Sequence, residues 1–97
     1  MQTKTKTEPR MRVLLREFEP EEVGRSPMIV DTAGGWEEWN KLINADYGEI
    51  VRCPNGDELW CDDSGLINGR PLNPLASMLA GQPIHGDALL FEPGDIK

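Results

Sequence analysis

At residues 54–57 the chain reads Pro-Asn-Gly-Asp between two strand-like runs, YGEIVRC and ELWCD. An Asn-Gly pair flanked in this way is the strongest short hairpin signal a sequence carries. With Asn55 and Gly56 as the two turn residues, Cys53 lies opposite Glu58 and Cys61 opposite Ile50. The two sulfurs then project from opposite faces and form no disulfide. Both cysteines are read as free, partly buried thiols, in keeping with a reducing compartment.

The segments around this hairpin alternate between strand and helix patterns. From Met11 to Phe18, Met11, Val13 and Leu15 alternate with Arg12, Leu14 and Arg16, which predicts a strand with one buried face. Residues 19–26, EPEEVGRS, turn in solvent, and PMIVD returns as a second strand paired with the first. Asp31 or Thr32 caps a helix starting near Ala33, with Trp36, Trp39 and Ile43 inward and Glu37, Glu38 and Lys41 outward. Two tryptophans at this spacing are read as core anchors. Further on, Asn73 caps a helix of about two turns that has Pro74 at its first position and Gly81 as its stop, with Leu75, Met78 and Leu79 against the sheet. In the last strand, Ala88, Leu89, Leu90 and Phe91 are apolar on both faces, as suits a central strand or a subunit contact.

The order β, β, α, β, β, α, β predicts an α+β fold: a mainly antiparallel sheet of about five strands with two helices on one face. Arg12, Arg16 and Arg52 then line part of the other face, and the apolar last strand suggests a homo-oligomer. Residues 1–10 read as a flexible basic tail and 11–97 as a single domain. The 97 residues are 38% hydrophobic, enough for one modest core. No apolar run approaches the roughly 20 residues that cross a bilayer, and MQTKTKTEPR lacks the apolar segment of a signal peptide, so a cytoplasmic location and no membrane partner are expected.

Charge narrows the partners. The net charge of −7 hides a basic start, and residues 17–97 hold five positive against sixteen negative side chains, a net of −11. Such a body repels phosphates, so nucleic acid is not expected as its partner, whereas a basic protein surface is compatible with it.

Motifs for chemistry are sparse. There is one histidine, His85, and no CxxC or HExxH. Asp57, Asp62 and Asp63 form no known metal pattern, and Asp62-Asp63-Ser64-Gly65 lacks the remaining ligands of a calcium loop, so no metal and no cofactor are expected. Nothing in the sequence places Ser64, Ser77 or either cysteine beside His85 as a nucleophile.

The block from Trp60 through Cys61, Asp62, Asp63, Ser64, Gly65 and Leu66, then Pro71-Leu72-Asn73 with Ala76, then Ile84, Gly86, Asp87, Ala88, Leu89 and Leu90, resembles a family of small uncharacterised proteins, domain of unknown function 3846. The resemblance covers about residues 11–92, and Gly34-Gly35 and the tail before Met11 depart from it. It implies a bacteriophage or plasmid setting and carries no activity onto these positions. An accessory protein of this kind is expected to act in counter-defence by binding, without catalysis. The first reading is sequestration of a small, nucleotide-type ligand by Arg70, Asn73, Trp60, Asn68, Arg52 and His85, through stacking and phosphate contacts. The alternative is acidic, DNA-mimic-like blocking of a host protein through Glu37, Glu38, Asp57, Glu58, Asp62 and Asp63. A second alternative is a small metal-dependent nucleotide hydrolase using Asp62, Asp63 and His85.

Overall fold

The computed structural model describes residues 11–16 and 27–96. The basic tail of residues 1–10 and the turn expected at 19–26 lie outside the described residues. In chain order the elements are β1 (Met11–Leu15), β2 (Met28–Asp31), α1 (Trp36–Leu42), β3 (Gly48–Arg52), β4 (Glu58–Asp62), α2 (Pro74–Ala80) and β5 (Ala88–Phe91). The strands form one five-stranded sheet in the order β2-β1-β5-β4-β3, and every neighbouring pair is antiparallel. The fold is α+β, with five strands and two helices among the described residues.

The helices do not share a face. In β1, Leu15 packs in a cluster with Ala76 and Ala80 of α2, whereas Leu14 packs in another with Trp39 and Ile43 of α1. In β5, Ala88 belongs to the first cluster and Leu89 to the second. Adjacent strand residues point to opposite faces, so α1 and α2 sandwich the sheet. This corrects the one-face arrangement and the single buried face expected for β1. It also accounts for the two-sided apolarity of β5, which sits in the centre with a helix on either side. The ground for a subunit contact there falls away.

The central hairpin is one residue out of the expected register. Arg52 pairs with Glu58, Ile50 with Trp60 and Glu49 with Cys61. Cys53 donates its N–H to the Asp57 carbonyl at 2.8 Å, and Gly56 donates to the Cys53 carbonyl at 2.9 Å. The loop therefore holds three residues, Pro54, Asn55 and Gly56. Proline pre-sets the first turn position, the Asn55 side chain accepts from the Asp57 N–H at 2.9 Å, and Gly56 takes the left-handed conformation at φ 98° that closes such a loop. The slip puts Cys53 and Cys61 on the same face, in one cluster with α2. They are free, but for a different reason from the one expected: Cys61 lies four residues along β4 from Asp57, the partner of Cys53, roughly 13 Å of strand.

Burial, then the carboxylates of Glu49 and Asp62, push the Cys61 thiol up from 9.0 to about 12. A thiol whose folded value is raised keeps its full contribution to stability below pH 9.0. That contribution is lost as pH rises toward about 12, because the unfolded chain ionises first. Thermal melts from pH 7 to 11 are expected to fall above pH 9 more steeply in the native protein than in Cys61→Ala. Equal slopes would contradict this assignment.

Each helix departs from its expected inner stripe in one respect. α2 begins as the sequence predicts, with Asn73 as N-cap, Pro74 at the first position and Gly81 closing it at φ 72°. Its inward residues, however, are Ala76 and Ala80, while Leu75 and Met78 are exposed. The buried Asn73 amide donates to Leu15 O at 3.0 Å and Gly86 O at 2.9 Å, which ties the helix start to the sheet where only small side chains fit beneath. α1 starts three residues later than expected, at Trp36, with Gly35 as N-cap at φ 85° and no side-chain cap. Asp31 instead accepts from Ala33 N at 2.9 Å and closes the preceding turn. Trp39 reaches the core, donating from Nε1 to Thr32 O at 2.7 Å, whereas Trp36 is left 57% exposed and is no core anchor.

Candidate functional site

The six residues expected to form one ligand site do not form one: Arg70, Asn73 and His85 are neighbours, and Arg52 and Trp60 lie apart from them on the β3–β4 hairpin. Arg70, its side chain 15% exposed, closes the C-terminal end of α1. Nη1 donates to Asn44 O at 3.1 Å and Nη2 to Ile43 O at 3.3 Å, and Nη1 pairs with Asp62 at 3.4 Å. His85 places Nδ1 3.0 Å from the Arg70 carbonyl. Asn73 is fully buried and spends its side chain on Leu15, Gly86 and the Ala76 N–H. Asn68 is exposed in the loop before Arg70. Of the six, only Arg52 and Trp60 lie on the α1 face of the β3–β4 hairpin, in pairs of its register separated by the pair of Val51 and Leu59.

The acidic surface is likewise incomplete. Glu37, Glu38 and Asp63 are exposed, but Glu58 and Asp62 are buried. Asp62 accepts from Ser64 N at 2.9 Å and pairs with Arg70, and Glu58 pairs with Arg52 at 2.9 Å. Neither offers its charge to a partner as the sequence reading expected.

Asp62, Asp63 and His85 do meet, with Glu49 and Cys61, around a hollow of about 280 Å³. Among the described residues, no three His, Cys, Asp or Glu side chains are grouped so as to hold a metal ion. The Cys61 thiol, pushed up to about 12, stays protonated at neutral pH and is a poor nucleophile.

A second cleft lies on the other face. Gly35 and Trp36 at the start of α1, Ile50 of β3, Trp60 of β4, and Asp95 and Ile96 after β5 surround a cleft of about 380 Å³, with Trp39 completing it. Its walls are held in place. Trp60 donates from Nε1 to Asn40 Oδ1 at 2.8 Å and meets Trp39 edge-on, with ring centroids 5.2 Å apart. Trp39 in turn packs against Phe91 at 4.7 Å. Gly48 leaves room for the Trp60 indole, which a Cβ at that position would strike. Arg12 bonds Asp95 Oδ2 from Nε and Nη2, both at 2.7 Å, and Asp95 accepts from Glu92 N at 3.0 Å, which fixes the 92–96 segment on β1.

Trp36 and Ile50, 57% and 46% exposed, present large apolar surface at the rim of this cleft. Sequence reasoning named Trp60 as a ligand residue but assigned Trp36 to the core and passed over Ile50, Asp95 and Ile96. The signal for Trp36 was the Gly34-Gly35 pair, which delays the helix and makes the first tryptophan its exposed first residue.

No helix among the described residues is long and apolar enough to cross a membrane. No family model, curated protein or solved structure matches the chain.

Proposed function

We propose that the protein is a non-enzymatic binding protein that holds a small ligand, through a flat or compact apolar group, in the cleft between Trp36 and Trp60. The observation that carries this reading is the three-tryptophan cleft itself: two indoles braced by hydrogen bonds and ring contacts, and a third left exposed at the rim. Bracing lowers the cost of ordering the site when a ligand enters, and large aromatic surfaces supply most of the contact energy. The resemblance to the uncharacterised phage and plasmid family supplies the setting, in which sequestering a small host molecule acts as counter-defence. The phosphate-binding part of the nucleotide expectation receives no support from Arg70 and Asn73, which the fold uses for its own carbonyls.

The test is native mass spectrometry of the full chain with a panel of small aromatic, cationic and nucleotide compounds, followed by tryptophan fluorescence on each compound retained. Trp36→Ala is expected to lose at least about tenfold in affinity, a step of about 1.4 kcal/mol, while stability moves by no more than about 0.5 kcal/mol, because the side chain is exposed. Retained affinity in Trp36→Ala would place the ligand elsewhere.

A further inference from the structure

The sign of charge that the cleft accepts can be read from its surroundings. Indole rings present negative faces, so a site walled by Trp36, Trp39 and Trp60 attracts a cation that approaches those faces. The arginines flanking the cleft are already held by carboxylates, Arg12 by Asp95 and Arg52 by Glu58. Neither lines the cleft: Arg12 is half-buried in its pair, and Arg52, its side chain 75% exposed, is open to solvent. The start of α1, where backbone N–H groups would favour negative charge, carries Glu37 and Glu38 in its first turn.

Glu58 adds a second, independent observation. It lies two residues from Trp60 on the same face of β4 and is paired across the sheet with Phe91, the ring that packs on Trp39. Its side chain is only 8% exposed. Arg52 answers Oε2, while Oε1 is buried with no hydrogen-bond partner. Glu58 does not line the cleft and Arg52 offsets its charge, so it leaves an unmatched acceptor near the aromatic cluster and no anion-binding group there.

We propose that the ligand group seated in this cleft is an organic cation, an ammonium or guanidinium carrying apolar substituents, held by cation–π contact with Trp36 and Trp60. The inference rests on the reading of the cleft as the ligand site and adds the charge of its occupant. A cleft of about 380 Å³ accommodates a methylated ammonium headgroup with a short tail.

The experiment titrates the full chain with choline, with its neutral isostere 3,3-dimethylbutan-1-ol, and with adenosine monophosphate as a flat anion. It follows the indole N–H signals by NMR and tryptophan fluorescence. Choline is expected to bind about tenfold more tightly than the isostere, to shift the indoles of Trp36 and Trp60, and to weaken about tenfold or more in Trp36→Ala with partial rescue in Trp36→Phe. Binding of the isostere or of adenosine monophosphate at least as tightly as choline would overturn the cation assignment and leave the cleft standing as a ligand seat. If none of the three compounds moves the indole signals, the cation assignment is overturned, and the seat itself is decided by the broader panel and Trp36→Ala.

Discussion

Asn73→Ala is expected to remove about 3 to 4 kcal/mol of stability, roughly the sum of a lost helix cap and two buried carbonyls left without a donor. Asn73 is fully buried and satisfies three separate parts of the chain: the Ala76 N–H at the start of α2, Leu15 O at the end of β1, and Gly86 O before β5. For a domain of this size the loss corresponds to a melting temperature lower by more than about 12 °C. Asn73→Asp is the informative companion. It keeps an acceptor for Ala76 N–H but turns a carboxylate toward two carbonyl oxygens, so it is expected to destabilise severely at neutral pH. Thermal unfolding followed by circular dichroism measures both variants. A shift of less than about 4 °C for Asn73→Ala would mean that water or a rearranged backbone replaces the amide.

Asn73 also shows what the sequence could and could not reveal. Its role as an N-cap was legible, because the cap, Pro74 and Gly81 are local signals within one short segment. Its bonds to Leu15 and Gly86 were not, since they span 58 and 13 residues and depend on how α2 crosses the sheet. The same division runs through the rest of the molecule. The order of elements follows from local periodicity, and the centrality of β5 from its apolar run. The faces taken by the two helices were not legible, because strands apolar at adjacent positions, such as Leu14-Leu15, fit either arrangement. The hairpin register was lost on a single residue, where Pro54 extended the turn that Asn-Gly alone would have closed. Of the cleft tryptophans, Trp60 was named in the sequence reading as a ligand candidate, while Trp36 was misplaced in the core because helical spacing places it inward and only the late start of α1 turns it out.

Arg70 carries the second large effect. Arg70→Met keeps the apolar stem but leaves the Asp62 carboxylate, 3% exposed, without its cation. It also removes the donor from Ile43 O and Asn44 O at the end of α1. The expected loss is about 3 kcal/mol, at the low end for a broken buried pair because the contact is long and Asp62 still accepts from Ser64 N. Asp62→Asn in the Arg70→Met background is expected to recover part of that loss by discharging the orphaned group. A double-mutant cycle by urea denaturation measures the coupling, expected to exceed about 1 kcal/mol. A coupling near zero would mean that Arg70 matters only for the helix end. This residue also explains a nearby glycine: Gly86, at φ 95°, lets the backbone pass the guanidinium, which a Cβ there would approach to 3.1 Å.

The strand order has a consequence for how the protein is made. β1 with β2 and β3 with β4 are each neighbours in sequence and need only short-range contacts to pair. Among the described residues, β5 is the last of seven elements to leave the ribosome, yet it lies between the two hairpins and is the only strand that touches both. Until it arrives, β1 and β4 each carry a bare edge, and Leu14, Leu59 and Trp60 have no Leu89 or Leu90 to cover them. The nascent chain is therefore two open half-sheets, prone to pair with the wrong edges, and the emergence of four residues, Ala88–Phe91, turns them into one closed core.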